Sequence, residues 1–401
     1  MSKLVNLAEV NAERVRYVQW WVISILTVPT VLDYIFIGSP IARYSRVLIF
    51  LAVSVSILVN HQKFLKSKLI GLESLVLTFI LYAIGTLSAL SHGGVITPNI
   101  ASLLILMLIV SANIDLHRII LKSIALSVHI LVGLSVLAIV LKLNPRNYYS
   151  TAEGYPVFLN FIGIPGRNCG IFIHPNTLGQ AAALSTLFMI EAKVKRVYLL
   201  LPLLCMIKCG SRTSILGILT GLLVYSVIRI FKSRQGSEKP SKLESPLVIG
   251  TLLLGILVAS SAQFLNYIKF LDPSALTDRV GIWQVSLTLF KSSSIFGLGW
   301  GWESRAIQSQ LLNVWAVSAH NAILEIAFSA GIVGLVIFLF MLTKGLVYFS
   351  NLLVIEKMML ASILVSGISE AYIDLQYPTL QTVLFFVIII GASKKLRLLN
   401  D

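Results

Sequence analysis

The chain has 401 residues, 57% of them hydrophobic and only 12% charged, with a formal net charge of +15. Soluble chains carry about 25% charged residues, so a large water-soluble core is excluded and an integral membrane protein is indicated. The positive balance does not point to nucleic acid, because no basic-aromatic motif or zinc-ligand spacing accompanies it and membrane proteins collect Lys and Arg in cytoplasmic loops.

In chain order, apolar runs fall near 20–37, 41–59, 69–90, 99–114, 118–141, 175–191, 197–209, 213–231, 246–263, 321–343, 358–373 and 378–391. They predict an all-α integral membrane fold of about twelve transmembrane helices, since helices satisfy their own backbone groups in lipid. The polar N-terminal segment lacks a small-residue cleavage site, so the first run reads as a retained anchor. The runs at 197–209 and 378–391 are short. Placing the N-terminus in the cytoplasm gives a roughly two-to-one inward excess of Lys and Arg. This predicts that both termini are cytoplasmic and that long outward loops run at about 142–174 and 264–320. The charged stretch 232–245 reads as a solvated linker, and the whole of 1–401 as one polytopic membrane domain. Cys205 and Cys209 are four apart on an apolar helix and share a packing face; with Cys169 they form no disulfide framework.

Polar chemistry survives in a few short clusters. Gly210-Ser211-Arg212-Thr213-Ser214 opens one span, Asp278-Arg279 leads toward Gly297-Leu298-Gly299-Trp300-Gly301, and His320-Asn321 precedes another span. With the orientation above, all three reach the outward face. Intramembrane arginines are costly and usually face a partner or ligand. Arg212 and Arg279 suit a phosphate or pyrophosphate, because the guanidinium fork donates two parallel hydrogen bonds and stays charged. Each could instead cap a helix or meet lipid headgroups. His320 is the general-base candidate, with a nearby carboxylate such as Glu325 to orient it, although a histidine can also serve at a helix start.

Further candidates are Arg167, and His174 with Asn176, where His-Pro-Asn also reads as a helix start. Lys208, Lys291 and Arg305 carry weaker signals. Glu370 and Asp374, four apart on one helical face, read first as partners of a loop arginine and second as acceptor-sugar ligands. Trp300 and Trp302 read as stacking or interface aromatics beside glycines that let the backbone approach a sugar or the membrane surface. No HExxH, P-loop, GxSxG or dinucleotide fingerprint is present. The distinctive polar residues gather at one face and the two halves differ, which favours an enzyme over a transporter or flippase.

Four ordered segments resemble the O-antigen ligase and O-antigen or exopolysaccharide polymerase superfamily of bacterial membrane glycosyltransferases. They are Gly166-Arg167 through Gly170-Ile-Phe-Ile-His174-Pro-Asn176-Thr-Leu-Gly179, Gly210–Ser214, Asp278-Arg279-Val-Gly-Ile-Trp283 with Phe296–Gly301, and His320-Asn-Ala-Ile-Leu-Glu325 with Gly331–Leu335. The likeness covers roughly 160–345, taken as the catalytic region with the periplasmic loop 264–320. It implies an inner-membrane enzyme that moves a glycan from undecaprenyl pyrophosphate to an acceptor sugar at the periplasmic face. The acceptor would be a carrier-linked repeat unit in a polymerase or lipid A-core in a ligase. Arg212 and Arg279 would hold the pyrophosphate, with His320 acting on the acceptor hydroxyl. Arg167, His174, Asn176, Asn321 and Trp300 would bind substrate. The resemblance implies a single inverting displacement without metal or other cofactor, in contact with membrane lipids and with a chain-length regulator as a further partner. The Phe-Ile-His-Pro-Asn-Thr-Leu-Gly stretch looks more like the polymerases.

Overall fold

A computed structural model describes residues 2–35, 40–59, 72–94, 99–113, 116–141, 143, 168–172, 174–235, 279–309, 319–349, 352–368, 370 and 379–400. Among these, every regular element is helical. They are α1 (Ser2–Ile35), α2 (Pro40–Val59), α3 (Leu72–Ser91), α4 (Asn99–Ala112), α5 (His117–Val140) and α6 (Pro175–Glu191). A 3-10 turn at Arg196–Leu199 leads into α7 (Leu200–Cys209) and then α8 (Arg212–Gln235), α9 (Arg279–Ser292) and α10 (Trp302–Gln308). The last three are α11 (Ala322–Val347), α12 (Val354–Gly367) and α13 (Leu380–Asn400).

These helices fall on eleven of the twelve apolar runs; the run at 246–263 lies outside the described residues. Five described helices carry segments long and apolar enough to cross a membrane: Ala12–Leu32, Glu73–Ser91, His117–Val140, Thr213–Ile230 and Ala322–Val347. The chain is therefore a multi-pass, all-α membrane protein. Of the stretch 142–174, the described parts are Leu143, 168–172 and His174, while 264–320 contains the two helices α9 and α10. The stretch 232–245 is described only to Gln235, where α8 ends.

The chain divides into two compact units. The first comprises Met1–Ile70 and Ile105–Ile218. Here α1 packs on α2 and α5, and α5, α6 and α7 pack on one another. Specific polar ties help to fix the register of these helices. The Trp21 indole donates to Ser56 Oγ at 3.1 Å, and His129 Nδ1 lies 2.7 Å from Ser185 Oγ. Arg14 Nε donates to Asn113 Oδ1 at 2.8 Å and its Nη2 to Ala112 O at 3.4 Å, a cation placed at the C-terminus of α4. Cys169, Cys205 and Cys209 are free and buried.

The second unit comprises Gly71–Leu104 and Leu219–Asp401. Its helix α11 packs on α3, α9 and α13, and α13 also meets α3 and α12. The stretch 381–390 of α13 is buried on every side, the pattern of a central helix.

Helix α11 is broken. Gly331 has φ 70° and ψ −170°, outside the helical region. The loop that follows α9 is stitched into the gap. Leu298 N donates to Phe328 O at 2.6 Å and Gly299 N to Ser329 O at 2.9 Å. Ile332 N and Val333 N, which an unbroken helix would aim at those same two carbonyls, donate instead to Ser294 O at 2.9 Å and Ile295 O at 3.2 Å. Non-helical backbone at membrane depth persists only where protein supplies such partners. A Cβ on Gly331 would stand 2.1 Å from Ile295 O, so no other residue fits without displacing the loop.

Candidate functional site

In the first unit polar residues gather where α6 begins and α7 turns into α8. His174 is the N-cap of α6, its Nδ1 accepting the Asn176 amide at 3.1 Å, with Pro175 at the first helical position. These contacts are those of the helix-start reading of His-Pro-Asn. Asn168 N donates to Lys208 O at 3.0 Å, which ties the segment before α6 to the end of α7. Gly179 brings α6 onto the turn before α8, because a Cβ there would sit 2.6 Å from Ser211 Cβ and 2.8 Å from Cys209 Sγ. Ser211 Oγ lies 2.7 Å from Ser214 Oγ and accepts the Ser214 amide at 3.4 Å, capping α8, whose first residue is Arg212. Arg167 lies outside the described residues.

In the second unit the polar residues converge on the start of α11. Asn321 is its N-cap, with Oδ1 accepting from Ile323 N at 3.0 Å and Leu324 N at 3.1 Å, while Nδ2 donates to Ile368 O at 2.9 Å. His320 precedes it with φ 50°, a left-handed conformation uncommon outside glycine and worth attention at a site. Its Nδ1 lies 2.9 Å from Glu370 Oε2, both side chains being largely buried. A neutral imidazole that donates from Nδ1 to a carboxylate carries its lone pair on Nε2, the tautomer required of a base. Glu325, expected as the orienting carboxylate, makes no bond to the ring; its Oε2 accepts the amide of Ala319 at 2.8 Å.

Helix α9 is anchored at the same place. The Trp283 indole donates to Ala319 O at 2.7 Å, next to His320. Arg279 opens α9 four residues before Trp283, about one helical turn or ~6 Å along the axis. That hydrogen bond fixes α9, one turn after its first residue, to the residue before His320. Asp278 and Asp374 lie outside the described residues.

The glycine loop behaves differently from the sequence expectation. Trp300 and Trp302 are buried, at 4% and 2% exposure, not presented as surface aromatics. The Trp300 indole donates to Tyr82 O at 3.0 Å and stacks on the Tyr82 ring, so its described contacts are packing contacts with α3. Trp302 Nε1 donates to Glu325 Oε1 at 3.2 Å. Arg305 turns back on the same loop, with Nη1 on Trp300 O at 3.0 Å and Nη2 on the carbonyls of Leu298 and Gly299. Burial pulls its guanidinium below the ordinary value, with Glu303 acting in the opposite direction. Arg305 is therefore a backbone clamp, and Lys291 is exposed. Glu370, read from the sequence first as the partner of a loop arginine, meets His320 instead. Its sequence signals were a carboxylate inside an apolar stretch and the spacing of four to Asp374.

The described residues thus form a multi-pass helical membrane bundle with a carboxylate-bound histidine at the head of α11. Residues 197–339 match the family model described as O-antigen ligase, and this region, which contains α7 to most of α11 and His320, supports the O-antigen ligase/polymerase superfamily. No curated protein matches the chain. That family implies a glycosyltransferase-like membrane enzyme of polysaccharide synthesis, with a lipid-linked glycan substrate and an acceptor in the membrane.

Proposed function

We propose that this chain transfers a glycan from undecaprenyl pyrophosphate to an acceptor sugar at the periplasmic face of the inner membrane, as a polymerase of O-antigen or exopolysaccharide repeat units. The observation that carries the reading is the 2.9 Å contact between Glu370 and Nδ1 of His320, which lies at the head of α11 within the family-matched region. In this scheme Glu370 holds the ring, Nε2 of His320 takes the proton of the acceptor hydroxyl, and that oxygen attacks the anomeric carbon. The bond to the carrier pyrophosphate breaks on the opposite face, its electron pair leaving with the pyrophosphate, so configuration inverts. Arg212 and Arg279 neutralise the charge that develops there, the electrostatic service that a departing phosphate most needs. Neither a metal ion nor a nucleotide sugar enters the scheme. Arg167, His174, Asn176 and Asn321 frame the substrates. The proposed arrangement has about twelve spans with both termini in the cytoplasm, consistent with the Lys and Arg bias.

Transfer to lipid A-core is the second reading, favoured by the description of the matching family model as O-antigen ligase. Incubating the purified protein with carrier-linked repeat units, with and without lipid A-core, separates the two. A size ladder formed without core supports the polymerase, and product on core alone supports the ligase. No product in either mixture overturns the transferase, and movement of intact units across a vesicle would then support a flippase.

A further inference from the structure

We propose that Glu325 is a positioning residue for His320, acting on the backbone while Glu370 acts on the ring; this rests on the transferase reading above. Glu325 is 4% exposed on a helix whose one other charged residue is Lys344 in the last turn, a placement that calls for a reason. It is not needed as a cap, since Asn321 already serves the amides of Ile323 and Leu324. Instead three donors from separate parts of the unit converge on its carboxylate. Oε2 accepts Ala319 N at 2.8 Å, and Oε1 accepts Trp302 Nε1 and Ser329 Oγ, each at 3.2 Å. The Ala319 and Trp302 N–H groups can only donate and meet different oxygens, so both must accept, as those of a carboxylate do and an amide group's nitrogen cannot.

Ala319 shows what this achieves. It is fully buried, its N–H is taken by Glu325 and its C=O by Trp283. Both peptide groups of the residue before His320 are therefore fixed, and His320 itself is held at φ 50°. A left-handed non-glycine residue persists only where its surroundings over-determine it. Trp302, the third partner, follows directly on the glycine loop stitched into α11. Glu325 thus ties the loop, the end of the preceding segment and the first turn of α11 to one carboxylate, and the direction in which His320 leaves the backbone follows from that tie. Glu325→Gln is nearly isosteric but turns an N–H toward one of the three donors.

The test uses the full chain in nanodiscs with carrier-linked repeat units, and reads kcat, KM for the donor and the carbethoxylation rate of His320 followed on its own peptide by mass spectrometry. For Glu325→Gln the expected result is a fall in kcat of about tenfold, little change in KM, and a change of roughly threefold or more in the His320 labelling rate, with Glu325→Asp recovering part of each. A kcat and a labelling rate that both match the unsubstituted protein overturn the proposal, as does a loss confined to the yield of folded protein. If Glu325→Gln yields no folded protein, Trp302→Phe combined with Ser329→Ala removes two of the three donors; unchanged His320 labelling there overturns it equally. The underlying reading fails separately: transfer that survives His320→Ala removes the base, whereas His320 labelling still reports on Glu325.

Discussion

At the scale of single residues, two buried carboxylates meet the chain at and beside one histidine. Glu370 meets the ring, and Glu325 meets the peptide before it. A general base contributes about 100-fold or more, so His320→Ala should lower transfer by that order, measured per folded molecule. Glu370→Gln keeps the shape but offers an amide N–H that the ring nitrogen could accept, favouring the wrong tautomer; a loss of about tenfold or more is expected, with Glu370→Asp intermediate. Full activity in Glu370→Gln would remove Glu370 from the mechanism. His320 and Asn321 were legible in sequence because a polar pair heads a long apolar run. Glu370 was not, because fifty residues separate it from His320 and no local spacing predicts which acid a distant helix end will deliver.

At the scale of elements, the apolar runs foretold where helices form, since length and hydropathy suffice for that. They did not foretell the break in α11. The run 321–343 reads as one continuous helix, and the reason it is not lies in the loop after α9, whose amides and carbonyls replace those of the helix itself. Two substitutions test the arrangement. Gly331→Ala forces a Cβ to 2.1 Å from Ile295 O and should destabilise the protein by about 2 kcal/mol or more. Arg305→Met strips three carbonyls of their donor and should cost about 2 kcal/mol. Both read out as a lower midpoint of thermal unfolding in detergent. An unchanged midpoint in Arg305→Met would mean that water replaces the guanidinium.

At the scale of the whole molecule, the proposed orientation can be checked with thiols. Cys169, Cys205 and Cys209 are buried, so they give little background. Lys291→Cys, at an exposed position, should react with a membrane-impermeant maleimide in intact spheroplasts, whereas Lys193→Cys should react only after permeabilisation. The reverse pattern would invert the topology. Transfer should also be unchanged by EDTA; loss of activity that is restored by added divalent cation would require a metal in the scheme. The glycan-transfer family was legible because its motifs are short, ordered and built from residues that lipid does not tolerate casually.

The stitched break in α11 also bears on how such proteins can be recombined. A helix whose middle hydrogen bonds are supplied by another stretch of the chain is not a portable module. A chimera that exchanges Ala322–Val347 with the corresponding helix of a relative imports a gap shaped for that relative's loop. The heritable unit is the helix together with the stretch 293–301, and domain swaps should respect that pairing rather than the borders of the transmembrane segment.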